Sequence, residues 1–209
     1  MEIKPLSAEG TRLFLRTAHE AEDRLEALYA VAIHCGLRQG ELLALRWDDV
    51  DLEAGALHVR RSLSGSRGGR PVFTTPKTAK GRRQVRLTAG AAEALRHHRK
   101  RQLEDRERVA RMWQDHGLVF ATEIGTPLNR HNLCRRSFKP LLKKAGLPEI
   151  RFHDLRHTCA TLLLAKGVHP KIVQELLGHA TIAVTLDTYS HVMPGMGDAA
   201  AGAMDEALS

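Results

Sequence analysis

The sequence predicts a mainly α-helical chain with one small antiparallel three-stranded β-sheet, an α+β fold. Three observations lead there. Apolar residues recur at helical spacing over most of the 209 residues. Two short stretches, 56–60 (ALHVR) and 83–87 (RQVRL), instead alternate apolar with polar, as half-buried strands do. Between them lie the turn-forming residues, in SLSGSRGGR and KTAKGR.

Taken in order, residues 7–36 read as two helices. The first holds Leu13, Phe14 and Leu15, and the second holds Leu25, Leu28, Val31 and Ile33 and stops at Gly36. A short helix starting near Gln39 carries Leu42, Leu43 and Leu45. The strand at 56–60 is followed by a Gly/Ser-rich loop, a middle strand at 71–75, a turn at 77–82 and the last strand at 83–87. Residues 88–116 read as a long, heavily charged helix, with seven Lys/Arg and three Asp/Glu between Arg96 and Arg111. This pattern suits a solvated face laced by i,i+4 pairs. Residues 130–145 form a second basic helix, closed by Gly146 and Pro148. A helix from near His153 has its core stripe at Leu155, Cys159, Leu162 and Leu163, and Gly167 caps it. Further helices are expected at about 170–177 and, after the break at Pro194 and Gly195, in the alanine-rich stretch at about 198–208.

Charge narrows the range of partners. Lys and Arg number 32 against 24 acids, a net charge of +8. The last 18 residues contribute three acids and no base, so residues 1–191 carry about +11. Such an excess suits a polyanion, because contacts to phosphates release condensed counterions. No run of about 18 apolar residues occurs, so no membrane span is expected. The start, MEIKPLSAEG, lacks the basic and apolar regions of a secretory signal. Three widely spaced cysteines, Cys35, Cys134 and Cys159, sit in apolar patterns and read as buried thiols of a reducing cytoplasm.

The chemistry-bearing residues concentrate in the C-terminal third: His153 and Arg156 in H-x-x-R, His179 in L-G-H, and Tyr189 in D-T-Y-S-H. His153 and Arg156 lie three apart on one helix and so share a face. A guanidinium grips two phosphate oxygens at once, and an imidazole adds a hydrogen bond or moves a proton. Only two tyrosines exist, and Tyr29 lacks the polar company that Tyr189 has. His157 forms H-x-x-x-H with His153, which suggests zinc, but Asp154 stands where a metalloprotease has glutamate and Arg156 would bring a cation to the metal. No metal site is expected. Taken singly, Arg38 in GLRQGEL and Lys77 in TPKTAKGRR read as ordinary solvated cations.

As an ensemble they read differently. From about Pro5 to His191 the chain resembles the catalytic domain of the tyrosine recombinases, the phage-integrase family. The ordered matches are Gly36, Leu37 and Arg38 with Glu41 and Leu42, then Lys77, His153 with Arg156, Gly178 with His179, and Tyr189. The flanks LALRWDDVDL, FHDLRHTCATLLL and LGHATIAVTLDTYSHV are family-like as well.

This resemblance implies the tyrosine recombinase catalytic-domain fold and strand exchange on double-stranded DNA without metal or other cofactor. Tyr189 would attack a phosphodiester to give a 3′-phosphotyrosine and a free 5′-hydroxyl, conserving the bond energy for rejoining. Arg38, Arg156 and His179 would stabilise the phosphoryl charge, and His153 would bond the phosphate or assist removal of the phenolic proton. Lys77 would protonate the leaving 5′-oxygen, with Lys80 as its rival. Glu41 would brace Arg38 or, like Asp49, simply cap the short helix. His157 and His191 read as structural histidines. Residues 1–191 would be the catalytic domain and 192–209 a tail helix docking on a neighbouring protomer. Family members usually carry an N-terminal core-binding domain, and its absence here reads as an excised fragment. The implied setting is cytoplasmic, with monomers assembling into tetramers on DNA and an origin in a phage or other mobile element. Alternatives of the same residue set are a type IB topoisomerase and a catalytically silent DNA-binding module of the same fold.

Overall fold

The structure, a computed structural model, describes residues 3–67, 70–75, 81–192 and 204–209. Its centre is helix α2 (Glu26–Cys35), whose residues are nearly all buried. Helix α1 (Ala8–Glu20) packs on it and begins at Ser7, whose hydroxyl accepts the Gly10 N–H at 3.0 Å. Helices α4 (Ala89–Val109) and α7 (Asp154–Ala165) flank α2. An aromatic cluster of Phe14, Tyr29, Phe138 and Phe152, with ring centroids 5.2–6.4 Å apart, fills the space below. Tyr29 belongs to this core. Its hydroxyl is 2.5 Å from Ser137 Oγ, which in turn donates to Asp23.

α2 ends where the sequence indicates. Gly36 adopts the left-handed conformation with φ +60°, and its N–H bonds back to Ala32 O. A Cβ there would lie 2.6 Å from Leu177 Cδ2 and 3.2 Å from Cys159 Sγ, so glycine is required by space as well as by backbone angle. The chain then enters the one-turn helix α3 (Gln39–Leu42). Gly40 lets this turn lie against the following hairpin, because a Cβ would sit 2.5 Å from Ser62 Oγ.

The β structure departs from expectation in its pairing. The three-stranded sheet consists of β1 (Val50–Asp51), β2 (Ala56–Val59) and β5 (Arg83–Arg86), in the antiparallel order β1-β2-β5. Leu57 faces Val85 across it, both buried. The stretch expected as the middle strand, β4 (Arg70–Thr74), pairs instead with β3 (Ser62–Arg67), in the segment read as a loop. β5 occupies the edge of β2, and among the hairpin's described residues Leu63 and Phe73, opposite one another, pack into the core. Ser and Gly give β3 no apolar alternation, and β1 is too short to show any.

The basic segment from 130 is also not one continuous helix. α5 (Arg130–Leu133) passes into a π-helical turn at Cys134–Phe138 before α6 (Lys139–Lys144). Pro140 has no N–H to give and crowds the carbonyl four residues back, and the widened turn accommodates it. α8 (Pro170–Leu177) closes on Gly178 at φ +67°. Residues 180–190, left unassigned by the sequence pattern, contain α9 (Ile182–Tyr189). α7, α8 and α9 enclose a small second core of Ala160, Leu164, Val173, Leu177 and Tyr189. Of the expected tail helix, 204–208 is helical and exposed, and 198–203 lie outside the described residues. No described helix is long and apolar enough to cross a membrane.

Candidate active site

Four chain segments converge: the turn from α2 into α3, the first two turns of α7, the end of α8, and the end of α9. Arg156, only 2% exposed, donates from Nη1 to Gly36 O at 2.7 Å. Its Nη2 is buried and has no hydrogen-bond partner among the described residues. A buried guanidinium N–H gains from any acceptor brought within its reach. Burial, and Arg38 nearby, lower the Arg156 pKa to about 9, which still leaves it charged at neutral pH.

Arg38 precedes α3 with its guanidinium partly exposed. It donates from Nη1 to Glu41 Oε1 at 2.8 Å and from Nη2 to Gly178 O at 3.4 Å. Glu41 also accepts the Arg38 backbone N–H at 2.9 Å, so one carboxylate fixes both the turn and the side chain. Its other partner was not anticipated. Arg83 of β5 bonds both Glu41 oxygens, at 3.2 and 2.9 Å, and Leu176 O at 2.6 Å. Burial pushes the Glu41 carboxyl upward, but Arg83 and Arg38 outweigh it and hold it below the usual carboxylate range. Glu41 therefore does brace Arg38. Asp49 does not join the site: it caps its own turn through the Arg46 N–H and binds Arg61 at 2.6 Å.

His179 follows the left-handed Gly178. Its Nδ1 lies 2.9 Å from Thr185 Oγ1, and its carbonyl accepts from Gln174 at 2.6 Å. Burial, then Arg156 and Arg38, lower its pKa to about 4. His153 stands at the start of α7, its pKa lowered by burial and by the same two arginines.

Tyr189 ends α9 and is 1% exposed. Its hydroxyl is 2.7 Å from His157 Nδ1, and His157 lies edge-to-face with His153 at 4.9 Å between centroids. Burial raises the phenol to about 12 against the pull of Arg156, and it lowers His157 to about 4, helped by His153. The sequence pattern casts His157 as structural, yet it touches the phenolic oxygen directly. Its spacing of four from His153 was the available signal. Arg83 gave none, lying 42 residues from its partner.

The structure thus brings together Arg38, His153, Arg156, His179 and Tyr189. Lys77 and Lys80 lie outside the described residues, as does the side chain of His191. The gathered set combines two arginines, neutral imidazoles and one buried phenol, which suits an anionic oxygen cluster facing a hydroxyl nucleophile.

Fold and site together describe a mainly helical domain that gathers two arginines and three histidines around a buried tyrosine. The chain belongs to the phage integrase family, whose model matches residues 5–195. It is 38% identical over 182 residues to a tyrosine recombinase XerC-like protein of Caldanaerobacter subterraneus subsp. tengcongensis, covering 82% of this chain and 46% of that protein. It is 31% identical over 200 residues to the ICEBs1 integrase of Bacillus subtilis (strain 168), covering 96% of this chain and 54% of that one. In fold it is similar to the Tn1549 transposon integrase solved in complex with circular intermediate DNA. There the TM-score is 0.80 at 24% identity, over 99% of this chain and 67% of that one. The chain spans about half the length of the curated relatives it matches.

Proposed function

We propose that this chain cleaves and rejoins DNA strands as the catalytic domain of a site-specific recombinase, with Tyr189 as nucleophile. The observation that carries this reading is a buried phenol under the electrostatic pull of a buried guanidinium, Arg156, whose Nη2 has no hydrogen-bond partner among the described residues. The hydroxyl attacks phosphorus in line, and the 5′-oxygen leaves. Arg156 and Arg38 neutralise charge on the non-bridging oxygens. Thr185 occupies Nδ1 of His179, so Nε2 is the nitrogen left to bond a phosphoryl oxygen. His153 bonds the same phosphate. Lys77, with Lys80 as its rival, protonates the leaving oxygen. Residues 1–191 act as the catalytic unit, and 192–209 as a tail that docks on a neighbouring protomer within a tetramer on duplex DNA. The name of one relative, an ICEBs1 integrase, supports a mobile-element role.

The test is covalent capture. A pool of end-labelled nicked duplexes of randomised sequence is incubated with the chain and resolved under denaturing conditions. A protein–DNA adduct from wild type that disappears in Tyr189→Phe, while binding in a gel shift persists, is the expected result. Absence of adduct from wild type, or its survival in Tyr189→Phe, refutes the reading.

A further inference from the structure

We propose that His157 is the proton acceptor for Tyr189: Nδ1 of its neutral imidazole takes the phenolic proton as the phenolic oxygen attacks. The inference deepens the recombinase reading and rests on it. In the resemblance this task fell to His153 if to any histidine, and the geometry points one turn further along α7.

The tautomer follows from the surroundings of the hydroxyl. Tyr189 is 1% exposed, and His157 Nδ1, at 2.7 Å, is the hydrogen-bond partner of its hydroxyl among the described residues. A buried O–H requires an acceptor. Since the described residues offer the phenolic proton no other acceptor, the arrangement points to a bare Nδ1 and a protonated Nε2.

The groups facing His157 keep it neutral. From α7 and its lead-in come His153, Arg156, Arg151 and Asp154. From α9 comes Tyr189, and from the segment after α8 comes His179. Burial and the cations outweigh Asp154 and lower His157 to about 4, so the basic form is fully populated at neutral pH. The same burial holds the phenol at about 12, so it cannot ionise unaided. A phosphodiester entering beside the imidazole brings negative charge, which favours the imidazolium, while the Arg156 guanidinium favours the developing phenolate. The balance is complete. The bond from Oη to phosphorus forms, the bond from phosphorus to the 5′-oxygen breaks, the phenolic proton moves to Nδ1, and the leaving oxygen takes its proton from the general acid, Lys77 in the reading above. In rejoining, the His157 imidazolium returns its proton to the departing phenolate.

Two measurements test this. The first needs no DNA: long-range ¹H–¹⁵N correlation spectra of the histidine-labelled chain report each ring's tautomer. The expected result is an unprotonated Nδ1 in His157 whose shift moves in Tyr189→Phe. A protonated Nδ1, or a shift indifferent to Tyr189→Phe, overturns the proposal. The second is single-turnover adduct formation with nicked duplexes from the captured pool. His157→Gln keeps a hydrogen-bonding partner for the phenol but cannot act as a base, and it is expected to lose about 10²–10⁴-fold in rate. Because the lost acceptor is replaced by hydroxide, the variant's rate should climb about tenfold per pH unit between pH 6 and 8, where wild type stays flat. The defect should persist on a duplex with sulfur in place of the 5′-bridging oxygen, since a thiolate leaves without a general acid. A rate loss equal at every pH, or no loss, overturns the proposal while leaving the recombinase reading intact. Failure of wild type to form any adduct defeats both.

Discussion

Replacing Glu41 with alanine removes the carboxylate that joins Arg38 to Arg83. Glu41 is 4% exposed and accepts four hydrogen bonds: the Arg38 N–H, Arg38 Nη1, Arg83 Nη1 and Arg83 Nη2. Arg38 can turn to solvent, but the Arg83 side chain is 7% exposed and, among the described residues, keeps the carbonyls Leu176 O and Gly81 O. Breaking a buried pair by deleting one partner costs about 3–5 kcal/mol, because the other charge stays buried and uncompensated. For a domain of this size that corresponds to a Tm lower by roughly 6–20 °C. Thermal melts of Glu41→Ala and of the double variant Glu41→Leu with Arg83→Met separate two consequences. The double variant replaces the charges by apolar groups of similar size and is expected to recover most of the stability. It leaves Arg38 without its anchor, so adduct formation should remain about 10²-fold below wild type, the scale of a misplaced catalytic group. A Glu41→Ala protein melting within about 2 °C of wild type, on the same scale of a few degrees per kcal/mol, refutes the energetic argument. A fully active double variant refutes the positioning argument.

Other outcomes follow from the same geometry. Gly36→Ala should cost about 1–2 kcal/mol for its left-handed backbone and about 1–3 more for the clash with Leu177 and Cys159, measured by urea denaturation. Its adduct yield should fall as well, because Gly36 O anchors Arg156. Arg156→Lys should bind DNA in a gel shift yet form adduct about 10²–10³-fold more slowly, since an ammonium cannot hold Gly36 O and a phosphate oxygen in one plane. His98 is buried between Trp47 and Phe120 with Nε2 on Val119 O, and burial lowers it to about 4. Its folded pKa lies below the unfolded value, so stability is intact above about pH 6.5 and falls as pH drops toward 4, by about 3 kcal/mol in total. His98→Gln, compared with wild type in urea at pH 7 and pH 4.5, should lack that part of the acid destabilisation. Equal slopes would show that His98 does not titrate on unfolding.

Much of this protein was determined locally. Ser7, Gly36, Gly178 and the apolar spacing of α1, α2, α7 and α8 act over one or two turns, so their effect is visible in neighbouring residues. Within the ordered set, Arg38, His153, Arg156, His179 and Tyr189 were legible for a related reason: each sits within a turn of a helix end whose local sequence is distinctive. Tertiary structure decided what depends on partners far along the chain. The β3–β4 hairpin forms because β2 is already paired with β5, and no propensity in SLSGSRGGR announces it. Arg83 becomes part of the site only by reaching Glu41, 42 residues away, and Leu176 O. His157 meets Tyr189 across 32 residues because α9 folds its last residue into the core shared with α7 and α8. Burial then supplies what sequence cannot carry. By removing water it makes the Tyr189 phenol a weak acid and His157 a neutral base, and it ties each to the other.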